Sequence, residues 1–529
     1  MGIGVKLSVR NKCTKTVMKE RRSAKTDKEN VMKNRLKYPM SLLGACIAIP
    51  LAAQADTRHS ENELVGKVSF LTSTVDKLRD ANLQIDPFLT SAISPPPDYK
   101  GPLFTLSHDY PTQLPAGNSF AWSKTTGNGK ITQANAGAYV QALKDYVSPD
   151  MRKIVYDYAN WNYQNSGWYD SIWLGIEREP IRGVYVGSGF PAGTLTDQTL
   201  PVTTYVLTLY DTRAAKTLGD IWGKTPERAM NPVLETTTTQ FAEGSVIIKF
   251  AMVSACGSDW APMEGAAQWE IYAPVNTSNG SALNKTQCVG QDFKGTTTQP
   301  AMTNVSLMQF DIIVKDSVAS PQTGWVFSTL VYDKNAPGKD AWDKMIPLGA
   351  TWGGNPDVIN TAPTALTPPV TVNPKLSENW INPKSPVYAV STLGWDGRLS
   401  GPNDGAVVTP AWAASHYYPA GLASAGCLGC HSSAQYPMTS FLLPTSSQPP
   451  QTIDPPLSGG DPDAALVMAE PGSKLWMSWF QSRDGKTPMG PDTAAGAKPV
   501  ALDYDMVTAF KAIPMWQQAK AAEAKDARK

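Results

Sequence analysis

The reading of the chain starts at Cys427-Leu428-Gly429-Cys430-His431. The stretch has the form C-x-x-C-H, the attachment signature of a c-type haem. Two thiols three positions apart add to the two vinyl groups of one porphyrin. The histidine next in sequence is then held under the iron as the proximal ligand. Three other chemistries use part of this pattern. A structural disulfide between Cys427 and Cys430 leaves His431 without a role. A zinc site needs two further ligands, and the chain has four histidines (His59, His108, His416, His431) and no second C-x-x-C. A thioredoxin-like pair wants a βαβ context. The adopted reading is one covalent haem c on Cys427 and Cys430, with His431 as the metal ligand.

The leader supports that reading. Residues 1–55 carry 12 Lys+Arg against 3 Asp+Glu, and the rest of the chain carries 35 against 43, a net of −8. The overall charge of +1 therefore combines a basic leader with an acidic protein. From Met32, a short positive run precedes the apolar YPMSLLGACIAIPLA, which ends at Ala53-Gln54-Ala55. That is the pattern of a signal peptide at 32–55, cleaved after Ala55, and it predicts a periplasmic product. Residues 1–31 read as a misassigned upstream start. Leu43-Gly44-Ala45-Cys46 resembles a lipoprotein box, but apolar residues continue beyond Cys46 and favour cleavage at Ala55. No later apolar run reaches membrane-spanning length. The acidic mature chain and the lack of a recognition signature argue against nucleic acid. P-loop, G-x-S-x-G, H-E-x-x-H and dinucleotide fingerprints are absent.

Export also settles the cysteine arithmetic. Cys13 and Cys46 leave with the leader, and Cys427 and Cys430 go to haem. Cys256 and Cys288 remain as an even pair in an oxidising compartment, for which a disulfide is the simplest reading and two buried thiols the alternative.

Residues 56–200 form a helical, aromatic-rich region. A helical pattern covers Asn62 to Leu83, and Pro95-Pro96-Pro97 stops it. A helix pair is expected over 137–164, divided at Ser148-Pro149-Asp150. Trp161, Tyr163, Trp168, Tyr169 and Trp173 follow, either as a ligand platform or, the commoner use, as packing. From residue 200 the period changes to two. Thr203–Tyr210, Ser245–Met252, Gln268–Ala273, Val305–Lys315 and Trp325–Tyr332 read as strands of an antiparallel sheet. Ala362–Pro374 reads as a linker or covering loop, and Pro444–Pro462 as another irregular stretch. Residues 446–529 add loops and two helical patterns, Lys474–Gln481 and Tyr504–Lys520. The expected class is α+β, an antiparallel haem domain over 201–445 with helical additions at both ends.

Three stretches in order resemble the cytochrome P460 family, including the cytochrome c′-β proteins. They are Phe241-Ala-Glu-Gly-Ser-Val-Ile-Ile-Lys249, then Asp311-Ile-Ile-Val-Lys-Asp-Ser317 with Thr323-Gly-Trp-Val-Phe327, then Cys427–His431 with Met438-Thr-Ser-Phe441. The resemblance spans roughly 203–444. It departs from a small P460 protein in the 94 residues between sheet and motif, Asp333–Gly426, and in the additions at both ends. It implies a lysine linked to the porphyrin edge, at Lys249, and an acidic residue in the distal pocket, at Asp311 or Asp316. Lys249 as an ordinary water-facing strand lysine is the alternative. Asp311 and Asp316 are an odd number of positions apart, so a regular strand turns them to opposite faces.

Two functions remain open. One is electron transfer through the haem to a periplasmic redox partner protein. The other is a haem enzyme acting on a small-molecule substrate such as hydroxylamine, nitric oxide or peroxide at an open sixth position. Met489, in Lys486-Thr-Pro-Met-Gly-Pro491, resembles the ligand loop of a class I cytochrome c and would close that position, and Met438 is a nearer candidate. The open-site version expects Val246, Ile248, Ile312, Val314, Val326 and Phe327 to wall the distal face. It also expects Asp311 to sit there among apolar groups and to shuttle protons.

Overall fold

The computed structural model describes residues 86–89, 95–174, 184–190, 192–273, 300–358, 372–403, 425–438, 472–490 and 498–526. The leader, the Asn62–Leu83 pattern, Cys288, most of the 362–374 linker, Thr439–Phe441 and the 444–462 stretch lie outside them.

A nine-stranded sheet is the frame. Its strands are β1 (Trp168–Tyr169), β2 (Val184–Phe190), β3 (Val202–Asp211), β4 (Val246–Val253), β5 (Gln268–Ala273), β6 (Ala301–Lys315), β7 (Trp325–Tyr332), β8 (Met345–Thr351) and β9 (Asn379–Ile381). The order is β1-β3-β4-β6-β7-β8-β9, with β2 also on β3 and β5 also on β6, and every pairing is antiparallel. All five strands expected from the period of two are present. β1, β2, β8 and β9 were not foreseen. They are short or broken by Gly and Pro, and they form because a neighbouring strand offers a ladder.

Helices cover both faces, so the chain is α+β. Helix α1 (Ala136–Tyr156) lies over one face, where Tyr139, Leu143, Val147, Met151 and Ile154 join Val246, Ile248, Phe250, Ile312, Val314 and Leu330. Helix α2 (Thr212–Trp222), the six-residue α3 (Gly426–His431) and α4 (Ile513–Asp526) lie over the other face, with Tyr210, Ile247, Ile313, Trp325 and Phe327. Cover on both sides explains why β3 and β7 are buried at every residue.

The expected helix pair over 137–164 is one helix. Pro149 is exposed inside α1, and Val147 and Met151 continue the buried stripe past it. Packing of that stripe outweighs the one main-chain hydrogen bond that proline removes. The aromatic cluster is packing: Trp161, Trp168 and Trp173 are buried, and Trp168 Nε1 donates to Asp150 Oδ2 at 3.0 Å. Cys256 is disulfide-bonded, as the reading of the remaining cysteines expected; the expected partner, Cys288, lies outside the described residues. Among the described residues, no helix is long and apolar enough to cross a membrane.

Candidate haem-attachment site

The C-x-x-C-H stretch forms α3, a single helical turn seated on the α2/α4 face of the sheet. Gly426 starts it with φ +86°, a conformation that favours glycine. From that turn, Cys427 N donates to Leu399 O at 2.8 Å. Gly429 allows a close approach: a side chain there would begin 3.0 Å from the carbonyl oxygen of Trp479. Ser432 Oγ and Ser433 Oγ donate to the carbonyls of Gly429 and Cys430 and cap the end of the turn. Leu428 is buried in the sheet-side core, and Cys427 and Cys430 pack half-buried against it.

Cys427 and Cys430 are not joined in the disulfide weighed above. Three positions apart on one helical turn, they lie on one side of it. The zinc alternative needs further ligands, and among the described residues no group of three or more His, Cys, Asp or Glu is arranged to hold a metal ion.

His431 is fixed on two sides. Its ring packs on Phe327 of β7, with centroids 4.8 Å apart and planes at 57°. Its Nδ1 lies 2.9 Å from the main-chain oxygen of Tyr504. A carbonyl only accepts, so Nδ1 carries the proton and Nε2 keeps its lone pair. A metal-ligating histidine needs this tautomer, and a carbonyl on the other nitrogen is the usual way to set it. The donor set therefore fits a porphyrin iron: two thiols on one turn and an imidazole that would ligate through Nε2, since Nδ1 is engaged by the Tyr504 carbonyl.

The oxygen that sets the tautomer is itself anchored. Asp503 and Tyr504 both have positive φ, 46° and 70°. Such a pair persists only where its surroundings hold it. Asp503 accepts from Lys315 Nζ (2.7 and 2.9 Å), Trp325 Nε1 (2.8 Å) and Phe241 N (2.8 Å), and its side chain is fully buried. Tyr504 OH donates to Arg483 O at 2.6 Å, and burial pushes that phenol well above its ordinary pKa. The three stretches quoted for the P460 resemblance each supply a part: Phe241, then Lys315 and Trp325, then His431. The sequence did not reveal Asp503 or the Tyr504 carbonyl, which lie in a segment without a motif.

Lys249 and Asp311 are direct partners on β4 and β6, with Nζ 3.0 Å from Oδ2. Asp311 also accepts from Gln309 Nε2 (3.0 and 2.9 Å) and Thr329 Oγ1 (2.7 Å). Lys249 is thus ion-paired and largely enclosed, not a lysine facing water. Asp311, Ile313 and Lys315 share one face of β6, as Thr329, Phe327 and Trp325 do on β7. The polar cluster and the support of His431 therefore occupy the same side of the sheet. Phe327 and Thr329, two positions apart, separate them by about 7 Å.

Two expectations are corrected here. Val246, Ile248, Ile312, Val314 and Val326 alternate with these residues and face α1, so of the six apolar residues named only Phe327 is on the motif side. The surroundings of Asp311 are accordingly polar, not apolar. Asp316 also departs from the cluster: it accepts from Tyr139 OH of α1 at 2.7 Å and from the N–H groups of Val318 and Ala319. That makes it a turn-stabilising residue beneath the other face, as the odd spacing from Asp311 requires. Met489 is half-buried beside Gly490, whose N–H donates to Gln435 Oε1, and Met438 is buried in the sheet-side core. No family model, curated protein or solved structure matches the chain.

Proposed function

We propose that the chain is an exported c-type haem redox protein that carries electrons through one haem bound to Cys427 and Cys430. The observation that carries this reading is the bond from His431 Nδ1 to the Tyr504 carbonyl, which leaves Nε2 as the ligating atom. Haem bound there would supply one-electron chemistry. The chain's own residues hold the imidazole in one tautomer, press its ring against Phe327 and keep the attachment turn against an apolar core. A P460-like fold is part of the proposal. It rests on the three ordered stretches and on the sheet that joins them.

The cluster of Lys249, Asp311, Gln309 and Thr329 favours a second reading, chemistry on a small molecule at an open sixth position. A buried ion pair is costly to desolvate and gives little net stability, so its retention suggests a role. There Lys249 Nζ and Asp311 Oδ2 would hold and pass a proton.

Expression of the full chain with a haem-attachment system should raise its mass by one haem and give a c-type pyridine haemochrome spectrum. An unshifted mass would refute the haem reading. Reduced protein indifferent to carbon monoxide supports the carrier, whereas ready carbon monoxide binding favours the open site.

A further inference from the structure

We infer that the guanidinium of Arg483 and the indole N–H of Trp479 hold the carboxylates of the haem. This inference rests on the haem reading given above. Arg483 is enclosed beside the attachment turn. Its two terminal nitrogens donate to Ser478 O (2.7 Å) and to Oγ of Ser432, the residue after His431 (2.8 Å). Its Nε is buried with no acceptor, and among the described residues no carboxylate pairs with it. Burial pulls its pKa below the ordinary arginine value, and only Tyr504 opposes that shift.

Trp479 repeats the pattern four positions earlier. It is 0 % exposed, and its Nε1 is buried without an acceptor. Trp476 Nε1, on the same segment, is also buried and unpaired. The main chain of Trp479 touches the attachment turn at Gly429, and Trp479, Cys427 and Phe480 line one cleft. A buried donor left unpaired costs about 1–3 kcal/mol, and a charged one more. Three such donors lie within eight positions, one of them a cation with no counter-ion among the described residues, and they point to an anion that those residues do not supply. A haem attached at Cys427 brings two carboxylates to this neighbourhood, and an arginine beside a carboxylate makes the stronger charge-assisted bond.

The test is the midpoint potential of the haem-loaded full chain measured from about pH 5 to 8. Wild type, Arg483→Gln, Arg483→Lys and Trp479→Phe would be compared, each with haem attachment verified by mass. Wild type should be nearly flat, because a neighbouring cation keeps a carboxylate ionised through this range. Arg483→Gln should keep its haem, show a lower potential and gain a pH-dependent segment as a carboxylate titrates. Arg483→Lys should stay near wild type, and Trp479→Phe should shift in the direction of Arg483→Gln by less. Loaded Arg483→Gln and Trp479→Phe with wild-type curves would overturn the inference and leave the haem reading standing. Wild type without haem would overturn both. Should Arg483→Gln fail to fold, an unchanged curve for Trp479→Phe is enough to overturn it.

Discussion

His431 Nδ1 donates to the main-chain carbonyl of Tyr504 across 2.9 Å, although 73 positions separate the two residues. A side-chain substitution cannot delete that oxygen, but its support can be removed. Asp503→Asn keeps the shape and takes away the charge that pairs with Lys315. Leaving a buried ammonium uncompensated should cost about 3–5 kcal/mol. Urea unfolding should register that loss. In haem-loaded protein the iron–histidine stretch should also shift, whereas an unchanged stretch would show that Asp503 stabilises the fold without orienting His431.

Lys249 and Asp311 should behave as a unit. Either residue changed to alanine strands the other in an enclosed polar cluster. The double variant should therefore be less destabilised than the two single effects together, with a coupling of about 1–3 kcal/mol. A full double-mutant cycle by chemical denaturation measures it, and additivity within error would show that the pair is not coupled. Digestion of loaded protein adds a separate readout. A haem peptide containing only Cys427 and Cys430 would exclude a porphyrin link to Lys249.

Asp211 makes the fold sensitive to pH. It caps α2 by accepting from Ala214 N at 2.8 Å. Burial raises its carboxyl to about 7, against N–H bonds from Ala214 and Val246 that pull it down. The raised value means that the folded state holds this proton more tightly than the unfolded chain, whose carboxyl titrates near 3.9. Its contribution is then present in full below about pH 4 and is lost as pH rises through about 7. Asp211→Asn keeps an oxygen for the cap and should flatten that part of the profile. Urea midpoints from pH 4 to 8 test this, and equal slopes for both proteins would count against it.

Pro149 offers a test of the single helix. Pro149→Ala restores a donor inside α1 at an exposed position, and stability should rise by roughly 1–3 kcal/mol. A fall would mean that the proline sets a bend the packing needs.

The strands were legible because β-branched and aromatic residues alternate or run together between turn formers, as in Thr203–Tyr210 and Trp325–Tyr332. Which side of the sheet each residue faces is readable from parity: Asp311 and Asp316 fall on opposite faces, and so do Ile248 and Lys249. Adjacent strand residues cannot both line one site. The attachment turn was legible because the chemistry of thioether formation fixes its residues. Tyr504 was not, since it acts through a main-chain oxygen that every residue has. Arg483 and Trp479 were missed for a related reason: an isolated Arg or Trp outside any motif carries no spacing signal.

The placement of Tyr504 also bears on assembly. An exported chain crosses a membrane from its N-terminal end, so under the proposed reading the two thiols arrive before the carbonyl that steadies the imidazole. A chain ending before Val500 would lack β11 (Val500–Ala501), the partner of β10 (Gln435–Tyr436). It would also lack the Asp503–Tyr504 turn. Such a chain keeps Cys427, Cys430 and His431 and loses the carbonyl contact that sets the histidine. Under that reading, capture of the cofactor and the setting of its histidine would fall to different parts of the polypeptide, the second to the Asp503–Tyr504 turn.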